Sequence, residues 1–173
     1  SAPRPVGSQM AISENGDFCG SVSGGCVEGE VVTEALKCIR REKNNFLDFS
    51  ISAEDARRAG LSCGGQLKIA ITWVSASVEK IFFKITSNMS LLQACGLIIN
   101  TSNGSCRPLT INEKAVKASD LANGRSGLIG SQNKSKSFLR AYAPGIKLLI
   151  IGAVHIAQPL TILGIYAGYK VLL

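Results

Sequence analysis

The sequence has a single histidine and no Cys-x-x-Cys pair among its six cysteines, at positions 19, 26, 38, 63, 95 and 106. Structural zinc wants close pairs of such ligands, so a zinc site is not expected. No basic run followed by an apolar stretch opens the chain. Without such an export signal, reduced thiols and a cytoplasmic location are the expectation. Lysine and arginine outnumber aspartate and glutamate 19 to 12, for a net charge of +7. They are spread thinly from Arg4 to Lys170, without the clustered face and interleaved aromatics of a nucleic-acid binder, so no nucleic-acid partner is expected. The excess suits solubility, or the attraction of an anionic ligand or acidic partner. Internal repeats are absent. The opening Ser1-Ala2-Pro3-Arg4-Pro5 lacks an initiator Met and Tyr169–Leu173 stops within an apolar run, so both ends read as cut.

What is present fits a folded protein. The hydrophobic fraction is 46% and only 18% of residues are charged, which excludes a disordered chain. A length of 173 residues holds one domain, or one domain and part of a second. The mixed Gly, Ser and Asn of Gly7 to Ser21 predict a hairpin turning at Ser13–Asp17. Val27, Val31, Ala35, Cys38 and Ile39 share one face at helical spacing, predicting a helix over 27–41. Glu28 and Glu30 lie in its first turn and Arg40 and Arg41 in its last, as the helix dipole favours. Alternation of apolar and polar residues predicts half-buried strands over 46–51 and 67–73. Between them, Ser52-Ala53-Glu54-Asp55 reads as a cap opening a short helix that ends at Gly60. The signals weaken from Ser75 to Asn133: a helix end and a strand over 91–101, a short helix over 112–122, and turns at Asn123-Gly124 and 130–133. Ser137 to Tyr142 reads as a strand, and Ala143-Pro144-Gly145 as the domain boundary, dividing 1–142 from 143–173.

The last segment is the most regular. Lys147–Ile151 is a continuous apolar strand of the kind buried in parallel sheets. A turn over 152–157, a helix to about Ala167, a stop at Gly168 and a further apolar strand follow. That order is the βαβ opening of a doubly wound, Rossmann-like domain. The 22 residues from Leu148 to Tyr169 contain no Asp, Glu, Lys or Arg, so a membrane span is the alternative. Gly152, Pro159, Gly164, Gly168 and the His155–Gln158 pair stand against it, because Pro159 fits a first helical turn and not a mid-helix position.

Two Gly/Cys elements could carry chemistry. Ser23-Gly24-Gly25-Cys26 sits at a helix start, where free N–H groups attract anions and the dipole favours a thiolate. Gly60-Leu61-Ser62-Cys63-Gly64-Gly65 sits just before a strand. The two loops could converge on one anionic, sulfur-loving ligand; equally, both cysteines could be small buried hydrophobes beside turn glycines. The turn at Gly152 follows the dinucleotide pattern G-x-G-x-x-G/A only in part, since Val154 stands where the second glycine admits a pyrophosphate. His155 is placed to contact a ligand, or simply to cap the helix.

In order along the chain, Pro3-Arg4-Pro5-x-Gly7-Ser8-x-Met10, Ser21-Val22-Ser23-Gly24-Gly25-Cys26-Val27-Glu28, Gly60–Gly65, Arg125-Ser126-Gly127-Leu128 and Ile151–Gln158 resemble the XdhC/CoxI family, the xanthine dehydrogenase accessory factors. The fold this implies is α/β: a mixed α/β N-terminal domain followed by the first βαβ unit of a Rossmann-like domain. The resemblance implies a maturation role and no enzymatic one. Such a protein binds molybdenum cofactor (molybdopterin) transiently, supports its sulfuration by a cysteine desulfurase, and delivers it to a molybdenum hydroxylase apoenzyme of the xanthine dehydrogenase type. It implies cofactor contacts from Arg4, Gly24, Gly25, Cys26, Cys63, Gly64, Gly65, Gly152 and His155, with Cys26 and Cys63 handling sulfur and Arg4 pairing with a phosphate. NAD(P) is not expected here. The rivals are an NAD(P)-dependent oxidoreductase whose substrate domain comes first, and a membrane-anchored interaction protein. Whether the chain forms a homodimer is left open.

Overall fold

The computed structural model describes residues 4–51, 65–110, 113, 115–129 and 137–173. The expected helix is α1, Glu28–Arg41. Its buried apolar positions, Val31, Ala35 and Cys38, recur at the three- and four-residue spacing that gathers side chains on one helical face. Past Arg41 the chain turns back at once: the Lys43 N–H reaches the Cys38 carbonyl at 3.0 Å, and β3 begins at Asn45. So short a link makes α1 and β3 antiparallel neighbours. β3 (Asn45–Ile51) pairs antiparallel with β4 (Gly65–Ile71), Leu47 opposite Ile69 and Phe49 opposite Leu67. These four, with Ile71, pack on the α1 face together with Val27, Val31, Ala35 and Cys38. The expected hairpin is present as β1 (Met10–Ile12) and β2 (Phe18–Gly20), closed by the Ser13 N–H to Asp17 carbonyl bond. Met10 and Ile12 add to the same core.

A four-stranded antiparallel sheet forms a second centre. It contains β5 (Cys95–Asn100), β6 (Cys106–Pro108), β7 (Gly127–Ile129) and β8 (Ser137–Tyr142), in the order β6-β5-β8-β7. Ile98, Ile129, Leu139 and Ala141 are buried on it, with Leu109, Val116 and Leu121 packed against them. The strand expected over 137–142 is β8 itself. Helix α2 (Ala76–Ser90) was not anticipated as a whole. The short helix expected over 112–122 is confined to α3, Ala118–Ala122. The helix expected over 52–60 and the turn over 130–133 lie outside the described residues.

The C-terminal segment forms the expected βαβ unit. β9 (Lys147–Leu149) and β10 (Lys170–Leu172) pair in parallel, with α4 (Ala157–Tyr166) as their crossover. Pro159 occupies the third position of α4, where the missing N–H leaves no bond unmade. At Gly164 an added Cβ would lie 2.9 Å from both Leu148 Cδ2 and Val171 Cγ2, so the helix meets its strands at this glycine. No helix among the described residues is long and apolar enough to cross a membrane. The charge-free run is divided among strand, turn and a ten-residue helix, about 15 Å of helix at 1.5 Å per residue. The molecule is thus a mixed α/β structure leading into a Rossmann-like βαβ.

Candidate functional site

The loop before α1 is built around one buried carboxylate. Glu28 projects from the first turn of α1 back into the segment Ser21–Gly25 and is only 9% exposed. Its Oε1 accepts the Ser21 hydroxyl at 2.7 Å and the N–H groups of Val22 (3.1 Å), Ser23 (2.8 Å) and Gly24 (3.1 Å). Its Oε2 accepts the Ser23 hydroxyl and the Gly25 N–H, the latter at 2.9 Å. The Ser23 oxygen in turn accepts the N–H groups of Cys26 and Val27, both at 3.0 Å, which fixes the two residues that lead into α1. Gly24 and Gly25 hold φ of +80° and +113°, a conformation that glycine adopts freely and that turns successive N–H groups inward. Burial by itself pushes the Glu28 carboxyl up, but the Ser23 and Ser21 hydroxyls and the Ser23 and Gly25 N–H groups outweigh it. Together they hold it far below the usual carboxylate range.

The sequence-predicted residues fall differently around this loop. Cys26 is half-buried, its side chain against the α1–β3–β4 core. Gly24 and Gly25 are exposed, but their N–H groups point to Glu28 and not to solvent. Cys63 and Gly64 lie outside the described residues; Gly65, which follows them, opens β4. Because α1 and β3 run antiparallel, the first turn of α1 lies at the Ile51 end of β3. Ile51 pairs with Gly65, so Cys26 and the start of β4 share one end of this layer.

Arg4 is exposed, one residue before a turn in which the Ser8 N–H and hydroxyl both donate to the Pro5 carbonyl. That turn docks on the larger sheet. At Gly7, with φ of +87°, an added Cβ would fall 2.7 Å from Ser126 Cβ. The next residues are clamped by Arg140. Its guanidinium donates to Ser126 Oγ (3.1 Å), to the Ala141 carbonyl (2.7 Å) and to Gln9 Oε1 (3.4 Å), and stacks 4.7 Å from the centre of the Tyr142 ring. Gln9 completes the ring of contacts by donating to the Tyr142 hydroxyl at 2.8 Å. Two separated pieces of the quoted motifs, around Gly7 and around Ser126, therefore touch.

Gly152 and His155 stand apart, exposed on the βαβ unit. Gly152 has φ of +109° with open space where a Cβ would be. Among the described residues neither shares a hydrogen bond or an apolar cluster with Cys26. No group of three metal-ligating side chains occurs among the described residues.

Sequence reasoning missed the role of Glu28, taking it as a favourable first-turn charge, and missed Gln9, Arg140 and Tyr142 altogether. The run of Ser21, Ser23 and two glycines ahead of Glu28 was the available signal, since five residues of donors precede one acid. No local pattern marks Arg140, two of whose partners, Ser126 and Gln9, lie 14 and 131 positions away.

Comparison with known proteins agrees with the N-terminal motifs. Residues 1–50 match the sequence model of the XdhC and CoxI family. Over 70 residues the chain is 56% identical to the molybdenum cofactor insertion chaperone PaoD of Escherichia coli (strain K12), covering 40% of this chain and 22% of PaoD. Over 64 residues it is 29% identical to the uncharacterized protein YqeB of the same organism, covering 37% of this chain and 12% of YqeB. The chain thus spans about a fifth or less of these curated relatives. A crystal structure described as a xanthine dehydrogenase from Bacillus halodurans superposes with a TM-score of 0.71 at 18% identity, over 99% of this chain and 53% of that one. This likeness is one of fold. The resemblance to the XdhC and CoxI family is thereby shown, carried by the first 50 residues.

Proposed function

We propose that this chain acts in the insertion of molybdenum cofactor, holding the cofactor as cargo for a molybdenum hydroxylase apoenzyme and catalysing no reaction of its own. The observation that carries this reading is the 56% identity to a molybdenum cofactor insertion chaperone over 70 residues. The chemistry of the loop supports it. A half-buried thiol at a fixed helix start is a soft donor, suited to the metal–sulfur end of a dithiolene cofactor. Cys26 takes that role, with Cys63 as a second thiol and Gly24, Gly25, Gly64 and Gly65 as further contacts. Arg4, exposed and permanently charged, is suited to the cofactor's phosphate. Gly152 and His155 take the far end of the ligand if the βαβ unit closes over it. A cysteine desulfurase supplying sulfur and a cytoplasmic setting complete the reading.

The test is co-purification from cells that make molybdenum cofactor, with bound molybdenum and pterin measured for the wild type, Cys26→Ala and Cys63→Ala. Near-stoichiometric pterin in the wild type, lost in either folded variant, is the expected result. A folded wild-type protein without pterin would overturn the reading.

A further inference from the structure

The loop that presents Cys26 already contains an anion, and it is the protein's own. Six donors converge on Glu28: two hydroxyls and the N–H groups of Val22, Ser23, Gly24 and Gly25. A carboxylate offers about four lone-pair sites, so six donors saturate it. The hydroxyls are spent as well. Ser21 donates to Glu28 and accepts the Gly24 N–H at 2.9 Å, while Ser23 donates to Glu28 and accepts two N–H groups. Inward-turned glycine amides at a helix start make the kind of nest that elsewhere holds a phosphate. Here a phosphate could enter only by displacing Glu28, leaving a buried carboxylate unpaired beside a second anion, which is costly on both counts.

We propose that Glu28 is a positioning residue that closes this nest to external anions, so that an anionic cargo meets the loop at Cys26 through its metal–sulfur end and has its phosphate bound by cationic side chains outside the loop. The orientation of the cargo rests on the carrier reading above; the closed nest does not. Glu28 fixes Cys26 through Ser23, whose oxygen ties the Cys26 N–H to the carboxylate. Removing the carboxylate frees that tie. The loosened loop then leaves the Cys26 sulfur more open to reagents.

Two cofactor-free measurements test this on the full chain. In the first, inorganic phosphate is titrated against the amide resonances of Gly24, Gly25 and Cys26. They stay unmoved in the wild type and shift saturably in Glu28→Ala; saturable shifts in the wild type would show an open nest and overturn the proposal. In the second, Cys26 alkylation by iodoacetamide is followed by peptide mass spectrometry. In Glu28→Gln, which keeps the side-chain shape if Glu28→Ala does not fold, the rate rises ~3- to 10-fold, as greater access to the sulfur promotes. Glu28→Asp, too short to reach the nest, follows Glu28→Gln. A rate within twofold of wild type in both variants sinks the proposal. Absence of pterin in the co-purification above would remove the cargo and leave this result standing.

Discussion

At the scale of single residues, the decisive feature is a charge held in place by short-range donors. Glu28 has its folded carboxyl held far below the ordinary range, so the folded state binds its proton less readily than the unfolded chain does. The stability it contributes is therefore fully present above the ordinary carboxylate pKa. It is lost progressively as pH falls from there towards the folded value. Urea unfolding from about pH 6 to about pH 3 should show this acid-side loss in the wild type and a shallower one in Glu28→Gln. At neutral pH the Gln variant should itself be less stable, by about 1–3 kcal/mol for a weakened set of buried bonds. Equal slopes in both proteins would mean that the carboxylate is not bound as described. The burial of Cys38, Cys95 and Cys106 acts the other way, pushing each thiol up, which suits these three to packing more than to sulfur chemistry.

At the scale of elements, legibility followed periodicity. α1 was readable because its apolar face is regular and its end charges are ordered, and β3 and β4 because their alternation is clean. α2 was missed although Val78, Ile81, Phe82, Ile85 and Met89 recur at helical spacing and Ser75 caps it, accepting the Val78 N–H at 3.4 Å. The segment is rich in β-branched and aromatic residues, which lower helix propensity, and Phe83 is exposed on its outer face. What holds α2 as a helix is tertiary: Ile85, its one buried residue. Ile85→Ala should cost about 2–5 kcal/mol, read as a lower urea midpoint with loss of helical circular dichroism. A change below about 0.5 kcal/mol, the level of an exposed surface substitution, would show that α2 stands without this contact.

At the scale of the whole molecule, burial is uneven. The core residues gather between α1 and β3–β4 and on the four-stranded sheet. In the βαβ unit only Ala157 and Gly164 of the helix are buried, while Ile151 is 90% and Tyr166 85% exposed. Two parallel strands with one crossover helix cannot cover both sheet faces. Native-state hydrogen exchange should therefore show β9, α4 and β10 opening at lower free energy than β5 and β8. Equal protection throughout would mean that the unit is covered in solution.

The sequence by itself determined the α/β class, the hairpin, the principal helix, the C-terminal βαβ order and the motifs of the XdhC and CoxI resemblance. Each of these is written in spacing or composition over a few residues. It also located Cys26 and its glycines. Only the tertiary structure decided that the amides of Gly24 and Gly25 serve Glu28, that Arg140 clamps Gln9 to Ser126, and that Cys26 lies at the same end of its layer as Gly65. Hydrogen bonds are short and directional, so which donor meets which acceptor depends on how the chain folds back, and for partners as distant as Gln9 and Arg140 local pattern carries no trace of it.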